Sequence, residues 1–533
     1  MKKLLTALLA VALMLSCVGA LAEVTYPVAE SKEITWWHAL RAASYESSHE
    51  ENICWTEIEK NVGVDIKWIH PSSGTASEQL NLLLVSGDLP HIIQIDGYLE
   101  SSGGAAALVD DGVAVDLTDY IAELAPDYLA GITASDLAYQ MATTADGRVV
   151  QFCQLKMTSP QYNRVNVRDD IMKEIGWTDE NGVSGLRLPE TIADYTEMFA
   201  AMKEAGYYGY RTGSSGRDTQ IMTAFGIYNG WYIKEDGTVG YGMWDDKYRD
   251  YLKQVREWIV AGYVHPDWAS DVSTASLFTN KEIGMYITPS DIAYGAAVAG
   301  GYDITCVNYP RMNAGDAYPF ENTTWDVVPA DGIRTVVTQA AIDDGVFEEV
   351  MALLNYGYTE EGALIYNWGI EGTTYTVDAD GKKTYTDTML HNETIPAADG
   401  QYIFKLHFGP KLAEADIQCN PGTIGDPKAL YWRELYSDDP TVSSDCIMFA
   451  TLTADQSIER AEYMVDIETY MNENTQAFLL GSLDINDDAV WQNYMDTMQS
   501  MGIEEAIAIT QEAQDAFVAK EIPTDWARAR EGQ

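Results

Sequence analysis

The stretch Leu80–Tyr98, LNLLLVSGDLPHIIQIDGY, limits the possible folds more than any other part of this chain. Leu80, Leu82, Leu83, Leu84 and Val85 form an apolar helical run that ends at Ser86-Gly87-Asp88, with Pro90 just beyond. Gly accepts positive φ and Pro cannot continue a helix, so the pair terminates it. Ile92-Ile93-Gln94-Ile95 then reads as a short strand whose unbroken apolar character suits burial on both faces, as in a parallel sheet. In open α/β sheets ligands sit beyond the carboxyl ends of strands, which puts Asp96 and Tyr98 where binding groups belong. The same pattern also suits a helix–turn–strand unit that simply ends in surface residues.

Similar alternation continues on both sides. EITWWHA (33–39) reads as a first strand ending in Trp36-Trp37-His38, and VDIKWI (64–69) as a second. Helices are expected over 189–205, with Ile192, Tyr195, Phe199 and Met202 on one face, and over 246–261, closed by Gly262. Hairpins are expected through Glu235-Asp236-Gly237 and Asp378-Ala379-Asp380-Gly381, a strand over 283–287, a helix over 348–357, and long amphipathic helices after 450 separated by Gly481 and Gly502. Strands alternating with helices argue for an α/β fold.

The first residues read as an export signal. Lys2 and Lys3 precede an apolar run from Leu4 to Leu15, and Ala20-Leu21-Ala22 gives a cleavage site. The run is shorter than the roughly 20 residues that span a bilayer. Cleavage after Ala22 is the expected outcome, and lipid attachment at Cys17 is the alternative. A net charge of −49 excludes electrostatic binding to nucleic acid or an anionic membrane. Six scattered cysteines with no C-x-x-C spacing support neither a zinc knuckle nor a redox motif.

Phosphate-loop, nucleophile-elbow and H-E-x-x-H motifs are absent, and no cofactor motif is seen. The seven histidines (His38, His49, His70, His91, His265, His391 and His407) are isolated from one another in sequence, so no His-based metal site is expected. The Asp378–Gly381 segment has its Gly two positions too early for a calcium loop. Tyr (33) and Trp (14) outnumber Phe (11), a skew towards rings that can both stack and hydrogen-bond, as sugar recognition requires.

Several segments in order resemble the family 1 extracellular solute-binding proteins, the carbohydrate receptors of bacterial ABC importers. Ser86-Gly87-Asp88-Leu89-Pro90-His91-Ile92-Ile93 is similar to the family's SGDxPDI segment, with His91 in place of the usual Asp. Asp116-Leu117-Thr118-Asp119-Tyr120-Ile121, Asp146-Gly147-Arg148-Val149, Tyr162-Asn163-Arg164 with Arg168-Asp169, Asn367-Trp368-Gly369-Ile370-Glu371-Gly372, and Trp491-Gln492-Asn493-Tyr494 with Gly502 extend the likeness over most of the chain.

The resemblance implies a two-lobe α/β fold of the periplasmic-binding-protein type II kind, with a ligand cleft between lobes and hinge crossovers. The expected division is a signal peptide over 1–22, lobe 1 over 23–157 and 283–332, and lobe 2 over 158–282 and 333–533. It further implies a monomeric, non-enzymatic receptor that delivers an oligosaccharide to ABC permease subunits. The alternatives are a peptide receptor of the same fold and a secreted glycoside hydrolase. Trp36, Trp37, Asp96 and Tyr98 are the candidate ligand contacts of lobe 1, and Tyr162, at the crossing into lobe 2, is another. Asp291, in a post-strand segment, is a further candidate, and Trp231, Tyr232, Trp368 and Glu371 are those of lobe 2.

Overall fold

The computed structural model describes residues 24–28, 31–72, 74–96, 104–157, 163–316, 327–414 and 448–531. The chain builds two lobes, each around its own core, and the described residues enter both lobes more than once.

The first passage lays down lobe 1. Strand β1 (Glu33–Trp37) is followed by helix α1 (Ile53–Val62), which Asn52 caps by accepting from the Cys54 and Trp55 amides. Gly63, at φ 85°, ends α1, and β2 (Asp65–Ile69) pairs parallel with β1 in register Trp37↔Ile69. Helix α2 (Ala76–Ser86) stops at Gly87, whose φ is 71°. It buries Leu80 but leaves Leu82 and Val85 largely exposed, so its apolar run is only partly core. Strand β3 (Ile92–Asp96) lies parallel to β1. Ile92 faces one core, while Ile93 and Ile95 face another on the opposite side of the sheet, as a strand buried on both faces requires. His91, which replaces an expected Asp, fastens β3 to β1: its amide donates to Thr35 Oγ1 at 2.9 Å and its Nδ1 accepts from the Thr35 amide at 3.1 Å. Helix α3 (Asp136–Ala142) and strand β4 (Phe152–Met157) complete this passage.

Lobe 2 begins with β5 (Asn163–Arg168) and α4 (Ile192–Glu204), whose start carries a full capping box between Thr191 and Asp194. Ile192, Tyr195, Phe199 and Met202 are all buried, as the helical spacing predicts. The hairpin β6 (Trp231–Ile233) and β7 (Val239–Tyr241) leads into α5 (Asp246–Ala261), closed by Gly262 at φ 73°. Strands β8 (Met285–Pro289) and β9 (Ile304–Val307) then flank β5, both antiparallel to it.

Strand β10 (Val327–Val337) returns to lobe 1 and inserts antiparallel between β3 and β4. Helices α6 (Phe347–Tyr356) and α7 (Glu360–Trp368) pack into the lobe 1 core. A hairpin of β11 (Tyr375–Val377) and β12 (Lys383–Tyr385), helix α8 (Ala397–Ile403) and strand β13 (Leu412–Ala413) follow. The lobe 1 sheet has the order β13-β4-β10-β3-β1-β2. Helices α9 (Ala454–Leu480), α10 (Asp488–Ser500) and α11 (Ile503–Val518) complete the lobe 2 core, where Tyr248 meets Thr475 at 2.7 Å.

Helix α12 (Thr524–Glu531) goes back to lobe 1, burying Trp526 against Tyr139. Lys520 guides that return: its Nζ donates to the Gln140 carbonyl, to the Thr143 carbonyl at 3.1 Å and to the Thr144 carbonyl at 3.2 Å, capping α3 with a cation.

This topology differs from the expected division of the chain. The 283–332 segment was expected in lobe 1, yet β8 and β9 sit beside β5 in lobe 2. The 333–533 segment was expected in lobe 2, yet its first eighty or so residues and α12 belong to lobe 1. An apolar strand pattern reports burial but not which neighbours it pairs with, so the strand over 283–287 was legible and its lobe was not.

Candidate ligand-binding site

Strands β1 and β2 run parallel and end level, so the residues that follow them emerge at one edge of the sheet. There His38 continues the ladder, its amide donating to the Ile69 carbonyl at 3.0 Å. His70 follows Ile69 and turns back, its Nδ1 lying 2.7 Å from the His38 carbonyl. His49, just ahead of α1, closes the group with its Nε2 3.0 Å from His38 Nδ1. Three histidines that looked isolated in sequence thus share one edge. Their nitrogens face one another, the backbone, Gln94 and Glu46. Among the described residues no group of three or more His, Cys, Asp or Glu side chains could hold a metal ion.

A small pocket of about 20 Å³ opens here. His38, Ala39, Arg41, His49 and Trp55 form one wall, and Tyr402, Leu406, His407 and Phe408 the other. The second wall is held down from several sides. Cys54 Sγ donates to the Phe404 carbonyl at 3.5 Å, the Leu406 amide to the Tyr366 carbonyl at 3.0 Å, and the Gly409 amide to Gln154 Oε1 at 3.2 Å. Gly409 has a φ of 144°, and a Cβ there would lie 3.1 Å from the Tyr366 ring, so a side chain does not suit this turn. Lys411 Nζ, fully buried, donates to the Leu406 carbonyl at 2.6 Å, and burial together with Lys405 pushes its pKa far below the usual lysine range.

Aromatic faces line the opening. The Arg41 guanidinium stands 5.0 Å over the Phe408 ring, and Tyr402, His407 and Phe408 contact one another edge to face or tilted. Burial, then the neighbouring Lys405, Lys411, Arg41 and Lys156 side chains, pushes the His407 pKa well below its ordinary value, and its Nδ1 has no hydrogen-bond partner among the described residues. Burial likewise drives the His38 pKa well below its ordinary value, helped by His49, His70 and Arg41. The edge thus offers aromatic rings to stack on, beside the neutral ring nitrogens of His38 and His407.

The residues expected at the site separate. Trp36 is completely buried beneath the histidines, 5.1 Å from Trp55 and 5.2 Å from Trp68, and Trp37 is 3% exposed in the core on the other face of the sheet. Neither ring presents a face to solvent, because alternation along β1 sends consecutive side chains into two different cores. Both were expected at the cleft, and the structure corrects that: both are core residues and neither lines the pocket.

Asp96 closes β3 at its carboxyl end and Asp291 lies in the first turn of a helix over Ser290–Gly300; their side chains, with Tyr98 and Tyr162, lie outside the described residues. In lobe 2, Trp231 is half-buried, with Arg460 5.3 Å from its ring, whereas Tyr232 is buried and donates to Asp245 Oδ2 at 3.0 Å. Trp368 was expected in lobe 2 but ends α7 in lobe 1, buried against Tyr385 with its indole N–H donating to Glu414 at 3.0 Å. Glu371 is exposed beside it. Sequence reasoning missed His38, His49, His407, Arg41, Tyr402 and Phe408. For His38 a signal existed, since the paired parallel strands β1 and β2 deliver their next residues, His38 and His70, to one edge.

Comparison with known proteins bears on this geometry. A family model described as "Bacterial extracellular solute-binding protein" matches residues 55–347. The fructooligosaccharide ABC transporter substrate-binding protein FusA of Streptococcus pneumoniae is 25% identical over 538 residues, spanning 93% of this chain and 92% of its own length. Among solved structures, the alginate-binding protein AlgQ2 superimposes with a TM-score of 0.69 at 19% identity, over 92% of this chain and all of that one. An "HMO binding" solute-binding protein from Bifidobacterium longum infantis gives 0.69 at 17% identity over the same shares. These likenesses confirm the two-lobe fold.

Proposed function

The chain belongs to the bacterial extracellular solute-binding proteins, and from that premise we propose that it captures an oligosaccharide outside the cell and passes it to an ABC import permease. The observation that carries the reading is the pocket at the strand ends of lobe 1, lined by Arg41, Tyr402 and Phe408 together with His38 and His407. The relative FusA, similar along nearly the whole chain, supports the ligand class. Export by cleavage after Ala22, with lipid attachment at Cys17 as the alternative, fits a receptor that works at the cell surface; no helix among the described residues is long and apolar enough to cross a membrane. The receptor acts as a monomer without catalysis, and its charge of −49 keeps it away from nucleic acid.

Asp96, together with Tyr98 just beyond it, is proposed to face the ligand from the end of β3, and Trp231 to face it from lobe 2. Ligand binding draws the lobes together into the shape that the permease reads. The test is thermal denaturation against a panel of glycans. A true ligand at about 100 times its Kd adds roughly 2.7 kcal/mol of stability and is recovered unaltered. A shift with peptides but with no glycan, or release of reducing ends from a glycan, overturns the reading.

A further inference from the structure

The pocket beyond β1 and β2 is too small for a sugar ring. A volume of about 20 Å³ holds one group the size of a water molecule, so it receives a substituent of the ligand while the ring stays outside. The charges around it decide which substituent. Arg41 lines it, and no carboxylate of the described residues does.

That lining runs against the composition of the chain, which carries 82 Asp and Glu against 33 Lys and Arg. After burial, the groups acting on His407 in the pocket wall are Lys405, Lys411, Arg41 and Lys156, and those acting on His38 are His49, His70 and Arg41. Neither set includes a carboxylate. Lys405 and Lys411 are fully buried behind the same wall; burial, then Lys405, pushes the Lys411 pKa down, with Glu414 alone pulling the other way. The carboxylates of this region are engaged elsewhere. Glu46 is held by His49 at 3.1 Å and Asn52 at 3.0 Å, and Glu414 by Lys383 at 2.8 Å and the Trp368 indole at 3.0 Å.

Bases crowded until they suppress one another's protonation make a site that an anion relieves and a cation worsens. Charges beyond about 10 Å are largely screened at 0.1 M salt, so the acidity of the distant surface does not cancel this field. Arg41 supplies the specific contact. A guanidinium keeps its charge at any ordinary pH and presents a fork that matches a carboxylate. Its place 5.0 Å over the Phe408 ring holds the head of this exposed side chain at the opening. A planar carboxylate also fits so small a space better than the bulkier tetrahedral sulfate or phosphate esters.

We propose that the pocket takes the carboxylate of an acidic sugar, a uronic acid residue, held by the Arg41 guanidinium with the Phe408 and Tyr402 rings against the sugar. The proposal rests on the reading of the chain as an oligosaccharide receptor and narrows its ligand class.

The test is titration calorimetry of the full chain with a panel of uronic-acid oligosaccharides and the same compounds with the carboxyl reduced to an alcohol. The wild type is expected to bind the acidic member of a pair about tenfold more tightly at low salt, with the gap narrowing as sodium chloride is added. Arg41→Gln is expected to close most of that gap at an unchanged melting temperature, and Arg41→Lys to keep part of it. Equal or tighter binding of the reduced member, or binding of neutral glycans alone, overturns the proposal and leaves the receptor reading standing. So does a preference that Arg41→Gln leaves intact. A sulfated oligosaccharide that binds more tightly than any uronate overturns the choice of carboxylate. A wild-type chain that binds no glycan, acidic or neutral, overturns the receptor reading itself.

Discussion

Asp218 in lobe 2 makes a quantitative test of how this protein stores an unfavourable charge. Its Oδ1 accepts from the Gly213 amide at 3.2 Å, but Oδ2 is sealed from solvent with no partner among the described residues. Burial raises its pKa from 3.8 to about 6, against the opposing pull of Thr212, Gly213 and Arg211. The folded state thus holds the proton more tightly than the unfolded chain does. The stability tied to this group is fully present below about pH 4 and is lost as pH rises through about 6. A shift of some two units at about 1.4 kcal/mol each amounts to roughly 2–3 kcal/mol by neutral pH.

Asp218→Asn keeps the Oδ1 acceptor and removes the charge. Urea unfolding of both proteins, followed by circular dichroism at pH 4.5, 6 and 7.5, is the assay. The variant is expected to exceed the wild type by only about 1 kcal/mol at the lowest pH and by roughly 2–3 kcal/mol at the highest. Two stability profiles running parallel over that range would show that the carboxylate is solvated after all, and the reasoning from its sealed oxygen would fail.

Two shorter tests address the pocket. Trp36→Ala is expected to destabilise lobe 1 by about 3–5 kcal/mol, because a fully buried indole leaves a cavity, so its melting curve moves before any affinity effect can be read. Asp96→Ala is expected to lower sugar affinity on the order of tenfold, measured calorimetrically, with the fold intact; unchanged affinity would remove the end of β3 from the binding site.

Local chemistry made much of the fold legible. Gly87 and Gly262 stop their helices in the left-handed conformation, and the Thr191 capping box starts α4, because these residues act on their own few neighbours. The site was less legible because it is assembled from distant parts. The wall carrying Tyr402, His407 and Phe408 reaches α1 through a contact between Cys54 and Phe404, 350 residues apart in sequence. No local pattern encodes such a meeting. Trp36 and Trp37 misled for a different reason: a position near a strand end says which edge a residue approaches, while alternation decides which way its ring turns. His38 and His70 could have been placed together, since reading β1 and β2 as a parallel pair puts the residue after each at the same edge.

The path of the chain between lobes has a mechanical meaning. Tyr26, near one end of the described residues, and Trp526, near the other, are both packed into the core of lobe 1. Lobe 2 is therefore a pair of loops paid out from lobe 1 and drawn back, not a terminal bead. Force applied between the two ends would be borne by lobe 1, leaving lobe 2 unloaded until that core gave way. A tether at the amino-terminal side would likewise hold one lobe still and leave the other free to swing.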